Sequence, residues 1–267
     1  MPSGYSIYVD RDSYVHESLD PRTKTLGVVV AFVLSLLFNS PWALGIIFLA
    51  LMGIASLAQL PSSTVRFLLY STVWFVVLSL IMWPLYVHVG TVAFHVGGLA
   101  ITWKGLLFGL AMGLRVAVMV VAAGIWMATT SPQKLTAAFL QSGMPYKIGT
   151  AISTTIRLVP LIVGEWATIV EAQRARGVDY QRGNIMVRMG RSVRVLGPML
   201  LRSIDIAQSL AMAMDARAYG AFPKRTNIVS VQVGRADRML LVVFALLILL
   251  GIYCRTHGIG ILLPNYL

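Results

Sequence analysis

Residues 26–58 read LGVVVAFVLSLLFNSPWALGIIFLALMGIASLA, two apolar runs that are separated by Asn39-Ser40-Pro41. Because Asn-Ser-Pro is a strong turn signal, the stretch predicts a hairpin of two helices, at residues 26–38 and 42–58. Each run is slightly shorter than the roughly 20 residues that cross a bilayer core, so we expect flanking residues to complete it. A pair of helices that is apolar on every side belongs in a membrane.

The composition of the whole chain agrees with this placement. Of its 267 residues, 57% are hydrophobic and 12% are charged, and the mean hydropathy is +0.77. These values are far too apolar for an ordinary soluble domain. Further apolar runs predict spans at residues 65–87, 105–128 and 239–263. We therefore predict an all-α, polytopic membrane protein with about five transmembrane helices.

The fourth predicted span has two unusual features. Gly105, Gly109 and Gly113 recur at four-residue spacing, a stripe of small residues that lets another helix approach closely. The same span contains Arg115, and a charge at lipid depth should face a partner or a wet interior. The residue types alone leave open whether Arg115 is a structural ion-pair partner or a functional contact.

The positive charge of the chain is concentrated after the fourth span. The formal net charge is +12, and most of the 22 Lys and Arg residues lie between positions 131 and 238. Such enrichment is typical of cytoplasmic segments of membrane proteins. We predict three regions: a four-span membrane domain at residues 1–130, a cytoplasmic helical region at 131–238, and a C-terminal transmembrane helix at 239–267.

The same charge rule orients the chain in the cell membrane. Four crossings before the basic region place the N-terminus on its side, and the nearby cations agree: Arg11, Arg22, Lys24 and Arg66. We predict that the N-terminus and the region 131–238 are cytoplasmic. The location of the Lys and Arg residues in cytoplasmic segments explains the positive net charge without a nucleic-acid partner. The basic region also lacks the exposed aromatic residues that alternate with cations in nucleic-acid-binding proteins.

Two related six-residue patterns lie in the basic region. Residues 172–177 read AQRARG, and residues 213–218 read AMDARA. Each pattern follows a segment that contains a proline, Pro160 or Pro198. The second segment, from Arg194 to Arg217, is longer than the first, from Arg157 to Arg176, by about one helical turn. Polar residues recur in the second segment at helical spacing. The region therefore predicts two long amphipathic helices, with each proline in a first turn or at a bend.

Each pattern also ends its helix. Gly177 is suited to the left-handed conformation that closes a helix after Arg176, and Gly220, followed by Pro223, is suited to the same role after Arg217. An arginine in a last turn complements the helix dipole, which explains one such pattern completely. Its repetition instead favours binding to a partner with two equivalent sockets. The planar fork of arginine suits bidentate contacts with carboxylates at such an interface.

In the order of its motifs, the chain resembles the transmembrane coupling subunit, or T component, of energy-coupling factor (ECF) transporters. These are vitamin and transition-metal importers of the ABC class. The resemblance covers nearly the whole chain: Leu19-Asp20-Pro21-Arg22-Thr23-Lys24 before the first span, the stretch from Ser131-Pro132 to Gly143-Met144-Pro145 after the fourth, and both Ala-Arg patterns. Each motif alone is weak, but their order is specific.

The resemblance implies partners and roles. In that family the two motifs end the coupling helices, and each inserts into a groove of one of two cytoplasmic ATPase subunits, while the coupling helices carry a substrate-binding S component. It therefore implies an ATPase-binding set: Ala175, Arg176, Gly177, Ala216, Arg217 and Ala218. Ala218 departs from the family pattern, which has glycine there, although alanine remains small.

The implied function is to couple ATP hydrolysis in the two ATPases to movement of the S component in a vitamin or micronutrient importer. A T component dedicated to cobalt or nickel import is the alternative. An intramembrane enzyme is a weaker one, because it would need polar catalytic groups within the spans, and Arg115 alone does not supply them. The expected partners are the two ATPases, the S component and membrane lipids.

No catalytic or cofactor chemistry is predicted in the chain itself. It lacks the Gly-x-x-x-x-Gly-Lys-Ser/Thr loop, so we expect ATP hydrolysis in the partner subunits. The single cysteine, Cys254, excludes a thiolate metal cluster, and the four histidines, His16, His88, His95 and His257, have no ligand spacing. We predict no metal site, and we expect acidic residues to pair with arginines along the helices, as Asp205 with Arg202.

Overall fold

The computed structural model describes residues 19–86, 91–96, 99–177, 185–221 and 234–258. Within these ranges, helices make up nearly all of the regular structure, which confirms the all-α class. In chain order the elements are α1 (Pro21–Leu37), α2 (Pro41–Leu57), α3 (Ser62–Tyr86), β1 (Val92–Val96), β2 (Leu99–Thr102), α4 (Trp103–Thr129), α5 (Pro132–Gln141), α6 (Tyr146–Ala175), α7 (Ile185–Ala216) and α8 (Arg235–Thr256). His16, His88, Pro223 and the predicted end of the last span at 259–263 lie outside the described residues.

The helices begin where the sequence provides caps. The Asp20 side chain accepts a hydrogen bond from the Arg22 N–H at 2.8 Å, and Pro21 occupies the first turn of α1. Ser40 caps α2 by accepting from the Ala43 N–H at 3.4 Å. Because Ser40 and Pro41 start a new helix only a few residues after α1 ends, the predicted helical hairpin is confirmed.

By length and composition, four of the described helices can cross a membrane: α3, α4, α6 and α8. Three of them coincide with predicted spans. The fourth, α6, belongs to the predicted cytoplasmic region and is the least apolar of the four. Helices α1 and α2 have 17 residues each, at the short end of the range for a span.

The segment between α3 and α4 contains a β-hairpin where we expected only a loop. Strands β1 and β2 pair antiparallel, with Val96 opposite Leu99 and a register irregularity between Val92 and Phe94. The Thr102 side chain then accepts a hydrogen bond from the Gly105 N–H at 3.2 Å and caps α4. The two strands thus lead directly into α4, the fourth predicted span.

The chain divides into two compact units. Residues 1–138 and 231–267 form the first, called the bundle unit here, and residues 139–230 form the second, called the hairpin unit. In the bundle unit, α4 is the central helix, and its face with Ala111, Ala117, Val118 and Val121 is fully buried. Helices α1, α2 and α3 pack around it.

Gly109 and Gly113 of the predicted glycine stripe lie in the seam between α4 and α3, which confirms the close approach of another helix there. A β-carbon on Gly113 would lie 2.7 Å from Val76 Cα, and one on Gly109 would lie 3.1 Å from the Ser79 backbone oxygen. The Ser79 hydroxyl donates to the Gly109 carbonyl at 2.7 Å. Since backbone lies against backbone, a larger side chain has no room here.

The outer faces of the bundle unit are apolar and exposed. On α2, the side chain of Trp42 is 82% exposed, and those of Ile46 and Leu49 are each 69% exposed. On α3, Phe67 and Trp74 are also exposed. Apolar surface of this extent is unfavourable in water and is suited to contact with lipid.

Arg115 makes a structural contact with the end of α1. Its guanidinium donates to the carbonyls of Ser35 and Phe38, at 2.9 Å each, and to the Asn39 side chain. These groups lie at the C-terminal end of α1, where helix carbonyls lack partners within their own helix. Arg115 therefore satisfies backbone carbonyls, and within the described residues it forms no ion pair.

Candidate functional site

The hairpin unit consists mainly of α6 and α7, which run antiparallel. The ring of Tyr146, in the first turn of α6, lies 6.2 Å from that of Tyr219, just after the end of α7. Further along, Glu165 Oε1 and Arg202 Nη2 form an ion pair at 2.9 Å. The start of one helix therefore lies beside the end of the other.

Antiparallel packing places the two Ala-Arg patterns at opposite ends of the helix pair. The end of α7 lies beside Tyr146, whereas Arg176 follows the 30 residues of α6. At a rise of 1.5 Å per residue, the separation between the two arginines is on the order of 40 Å. The sequence predicts two related helix ends, but it does not predict that they lie at opposite ends of the α6–α7 pair.

Both prolines lie inside their helices, so a first-turn position is wrong. Helix α6 begins at Tyr146, well before Pro160, and α7 begins at Ile185, well before Pro198. Each proline removes one backbone donor from its helix and crowds the preceding turn. Each helix nevertheless continues through its proline to the Ala-Arg pattern.

The first pattern closes α6 as predicted. The Arg176 N–H donates to the carbonyls of Ala172 and Gln173, at 3.2 and 3.1 Å. Gly177 has a φ of +85°, and its N–H donates to the Arg174 carbonyl at 2.9 Å. The left-handed residue after Arg176 is thus glycine, which adopts this conformation without a steric penalty.

The second pattern closes α7 with alanine in the same role. Ala218 has a φ of +52°, and its N–H donates to the Asp215 carbonyl at 2.9 Å. The Tyr219 N–H donates to Met214, also at 2.9 Å, which completes a Schellman motif. We predicted this role for Gly220, which does have a positive φ of +90° but lies two residues beyond the position that closes the helix.

The two ends therefore present their arginines on matching backbones. Ala218 stands where Gly177 stands, and each donates to the carbonyl three residues before it at the same distance. All of the predicted contact residues are exposed: Ala175, Arg176, Gly177, Ala216, Arg217 and Ala218. An exposed guanidinium between small residues is accessible to carboxylates and allows a partner to come close to the backbone.

Between the two ends, α6 and α7 form an apolar groove of about 200 Å³. Its lining residues are Leu158, Ile162, Ser203, Ile206, Ala207, Leu210, Ala211 and Met214. The Ser203 hydroxyl donates to the Met199 carbonyl at 2.8 Å, within its own helix. The groove therefore offers a partner mainly hydrocarbon surface.

The arginine of the interhelical ion pair has a different partner from the one expected. We predicted that Arg202 pairs with Asp205 on its own helix, whereas its hydrogen-bonded partner is Glu165 on α6. Arg202 is half-exposed. Spacing along one helix does not report contacts across an antiparallel pair, so the sequence pattern misses this pairing.

Comparisons with known proteins identify the class. The sequence model of the CbiQ family, described as cobalt transport protein, matches residues 12–228. The chain is 32% identical to the energy-coupling factor transporter transmembrane protein EcfT of Acidaminococcus fermentans, over 91% of this chain and 94% of the relative. It is 31% identical to EcfT of Lacticaseibacillus paracasei, over 91% and 96%, and 29% identical to EcfT of Bacillus subtilis, over 82% and 86%.

The family match and the relatives agree with the order of motifs and with the many apolar helices. The match spans well over half of the chain, and the similarity extends over most of each relative. The chain therefore belongs to the CbiQ family and is the transmembrane, or T, component of an energy-coupling factor transporter.

Proposed function

We propose that this T component couples ATP hydrolysis by two cytoplasmic ABC ATPase subunits to movement of an S component, which brings a vitamin or another micronutrient into the cell. The observation that carries the proposal is the pair of exposed Ala-Arg ends. They share one backbone form and lie at opposite ends of the α6–α7 pair. A separation on the order of 40 Å suits two subunits better than one socket.

Each end offers its partner the same chemistry. Arg176 lies between Ala175 and Gly177, and Arg217 lies between two alanines, all of them exposed. A groove that contains carboxylates is suited to bind such a helix end, because the planar guanidinium of arginine can donate two parallel hydrogen bonds to one carboxylate. The equivalent geometry supports two similar ATPase sockets.

The apolar surface of the hairpin unit supports a second contact, with the S component. The groove between α6 and α7 is lined by residues such as Ile162 and Leu210, and Leu200 and Leu201 are 64% and 68% exposed. An S component is itself a membrane protein, so its apolar helices are suited to such a surface. Lipids would cover the outer faces of the bundle unit.

The chain would act as a mechanical link and not as an enzyme. Nucleotide-driven movement of the ATPases would displace the two helix ends, and long packed helices move largely as rigid bodies. The distribution of cations supports a cytoplasmic location of the N-terminus and the hairpin unit in the cell membrane. ATP hydrolysis would belong to the partner subunits.

A T component dedicated to cobalt or nickel import is the second candidate, because the matching family is described as cobalt transport protein. Two uptake measurements in cells that express the complete transporter separate the candidates. Accumulation of Co²⁺ or Ni²⁺ that requires this chain supports the metal alternative. Accumulation of a radiolabelled vitamin that requires it, with no change in metal uptake, supports the proposed function.

Copurification with the ATPase subunits tests the docking sites. We expect Arg176→Glu or Arg217→Glu alone to weaken association at least about tenfold, and the double variant to abolish it, because a reversed charge repels an acidic socket. Arg157→Glu is the matched control, since Arg157 is exposed on α6 away from both ends. Retention of both ATPases by the double variant at the wild-type level would contradict the proposal.

A further inference from the structure

The motif at residues 19–24 has a structural position that the docking sites do not explain. It lies at the start of α1, in the bundle unit, far along the chain from both Ala-Arg patterns. Its side chains and backbone reach three other helices of that unit. These contacts lie at the last residue of the bundle unit before the hairpin unit, and at the first described helix of the bundle unit after it.

The first crossing follows Ala138, the last residue of the bundle unit before the hairpin unit. Arg22 Nε donates to the Ala138 carbonyl at 3.0 Å, and Arg22 Nη2 donates to the same oxygen. Ala138 is fully buried within α5. One guanidinium thus holds the backbone of α5 with two donors at the point where the chain leaves the bundle unit.

The same motif also binds the start of α8, the first described helix after the hairpin unit, through a buried carboxylate. Asp237, in the first turn of α8, is 0% exposed. One of its oxygens accepts from the Gly234 N–H at 2.9 Å, and the other accepts from the Asp20 N–H at 3.0 Å. A charged acceptor with two backbone donors makes strong hydrogen bonds in a buried setting.

The helix that precedes the first crossing is held as well. Lys24 Nζ donates to the Thr129 carbonyl at 3.0 Å, at the last residue of α4. Trp126 Nε1 donates to the Thr25 hydroxyl at 3.1 Å, one turn earlier. The first turns of α1 therefore bind the end of α4, the middle of α5 and the start of α8.

We propose that Asp20, Arg22 and Asp237 are positioning residues for coupling. They fix α5 and α8, the bundle-unit helices before and after the hairpin unit in the chain, to α1, so that displacement of the hairpin unit reaches the bundle unit and is not absorbed by local bending. The inference rests on the proposed function only for the source of that displacement. A helix that loses its anchoring hydrogen bonds opens locally at lower cost, which makes the link compliant.

The width of a spin-label distance distribution between the two units measures this stiffness. One label is attached at Ser63→Cys in the bundle unit and the other at Thr168→Cys in the hairpin unit, both exposed positions. Cys254, the only native cysteine, is replaced by serine. The full chain is measured in detergent, alone and with the ATPase subunits, with and without a non-hydrolysable ATP analogue.

We expect a narrow wild-type distribution and one at least about twice as wide in Arg22→Ala, with a smaller nucleotide-dependent shift. Asp237→Asn should give intermediate broadening, because its amide accepts less strongly and one oxygen acceptor is lost. Arg66→Ala is the matched control, since Arg66 is exposed and its Nε donates to Ser62 within its own helix. It should leave the width unchanged.

The outcomes separate positioning from plain stability. A lower melting temperature with wild-type widths in Arg22→Ala and Asp237→Asn would overturn the inference, as would a wild-type distribution that is already as broad as that of Arg22→Ala. If Arg22→Ala does not fold, the width of the distance distribution in Arg22→Lys tests the inference instead. Lysine keeps the positive charge but cannot reproduce the two hydrogen bonds of the guanidinium to the Ala138 carbonyl. Failure of the ATPases to bind would contradict the proposed function. The distribution widths of the chain alone would still test whether Asp20, Arg22 and Asp237 are positioning residues.

Discussion

The α3–α4 seam of the bundle unit and the α6–α7 pair of the hairpin unit show two ways of joining helices. In the seam, Gly109 and Gly113 bring backbone against backbone. The α6–α7 pair is joined by a tyrosine contact and an ion pair at its surface, and it leaves an apolar groove. The α3–α4 seam is thus closed, whereas the α6–α7 pair leaves an apolar groove open to a partner.

The largest effect should come from filling the closed seam. Gly113→Leu should lower the free energy of unfolding by about 3 kcal/mol, because its β-carbon alone would lie 2.7 Å from Val76 Cα and overpacking forces the helices apart. Denaturation of the purified chain in detergent, followed by circular dichroism, measures this loss.

The matched substitution in the open pair is Gly164→Leu on α6. Nothing lies within 4 Å of a β-carbon at Gly164, and leucine favours helix over glycine by up to about 1 kcal/mol. We expect unchanged or slightly increased stability. If the two leucine variants lose similar stability, the contrast between a closed seam and an open pair is wrong.

A smaller effect should come from exchanging the residues that close α6 and α7. Gly177→Ala should destabilise its helix end by about 1 kcal/mol, and Ala218→Gly should stabilise its end by a similar amount, because both positions have a positive φ. Hydrogen exchange of the amides in the last turn of each helix measures both changes. Effects of the same sign in the two variants would show that the ends are not equivalent.

The smallest effect should follow loss of the ion pair between Glu165 and Arg202. Exposed pairs contribute little to stability, so Arg202→Gln should leave the melting temperature of the chain nearly unchanged. The double variant with Glu165→Gln serves as the control, since it removes both charges. A large drop that Arg202→Gln and the double variant share would mean that this pair is essential to the α6–α7 contact.

The sequence predicts most of what depends on local patterns. The apolar runs predict where the helices lie, Asn39-Ser40-Pro41 predicts the turn between two of them, and the α4 glycines predict a close approach; these features are confirmed. The left-handed role of Gly177 is likewise confirmed, because glycine is the usual residue at that position. Each of these signals lies within a few residues of the feature that it predicts.

Contacts between distant segments could not be predicted in the same way. Glu165 and Arg202 meet because α6 and α7 are antiparallel, and the Arg22 contact with Ala138 depends on how α1 packs against α5. Asp237 looks like one more acid among arginines in the sequence, but it is buried and bound by backbone donors. The role of Ala218 as the left-handed residue that closes α7 could not be predicted either, because alanine rarely adopts a positive φ.

Photo-crosslinking from the two helix ends tests the central claim most directly. A crosslinking residue replaces Ala175 or Ala216, each exposed beside its arginine, and Leu161, which is 47% exposed near the middle of α6, is the control position. In membranes that contain the full transporter, we predict ATPase adducts from both ends and none from position 161. ATPase adducts from position 161, with none from either end, would contradict the account.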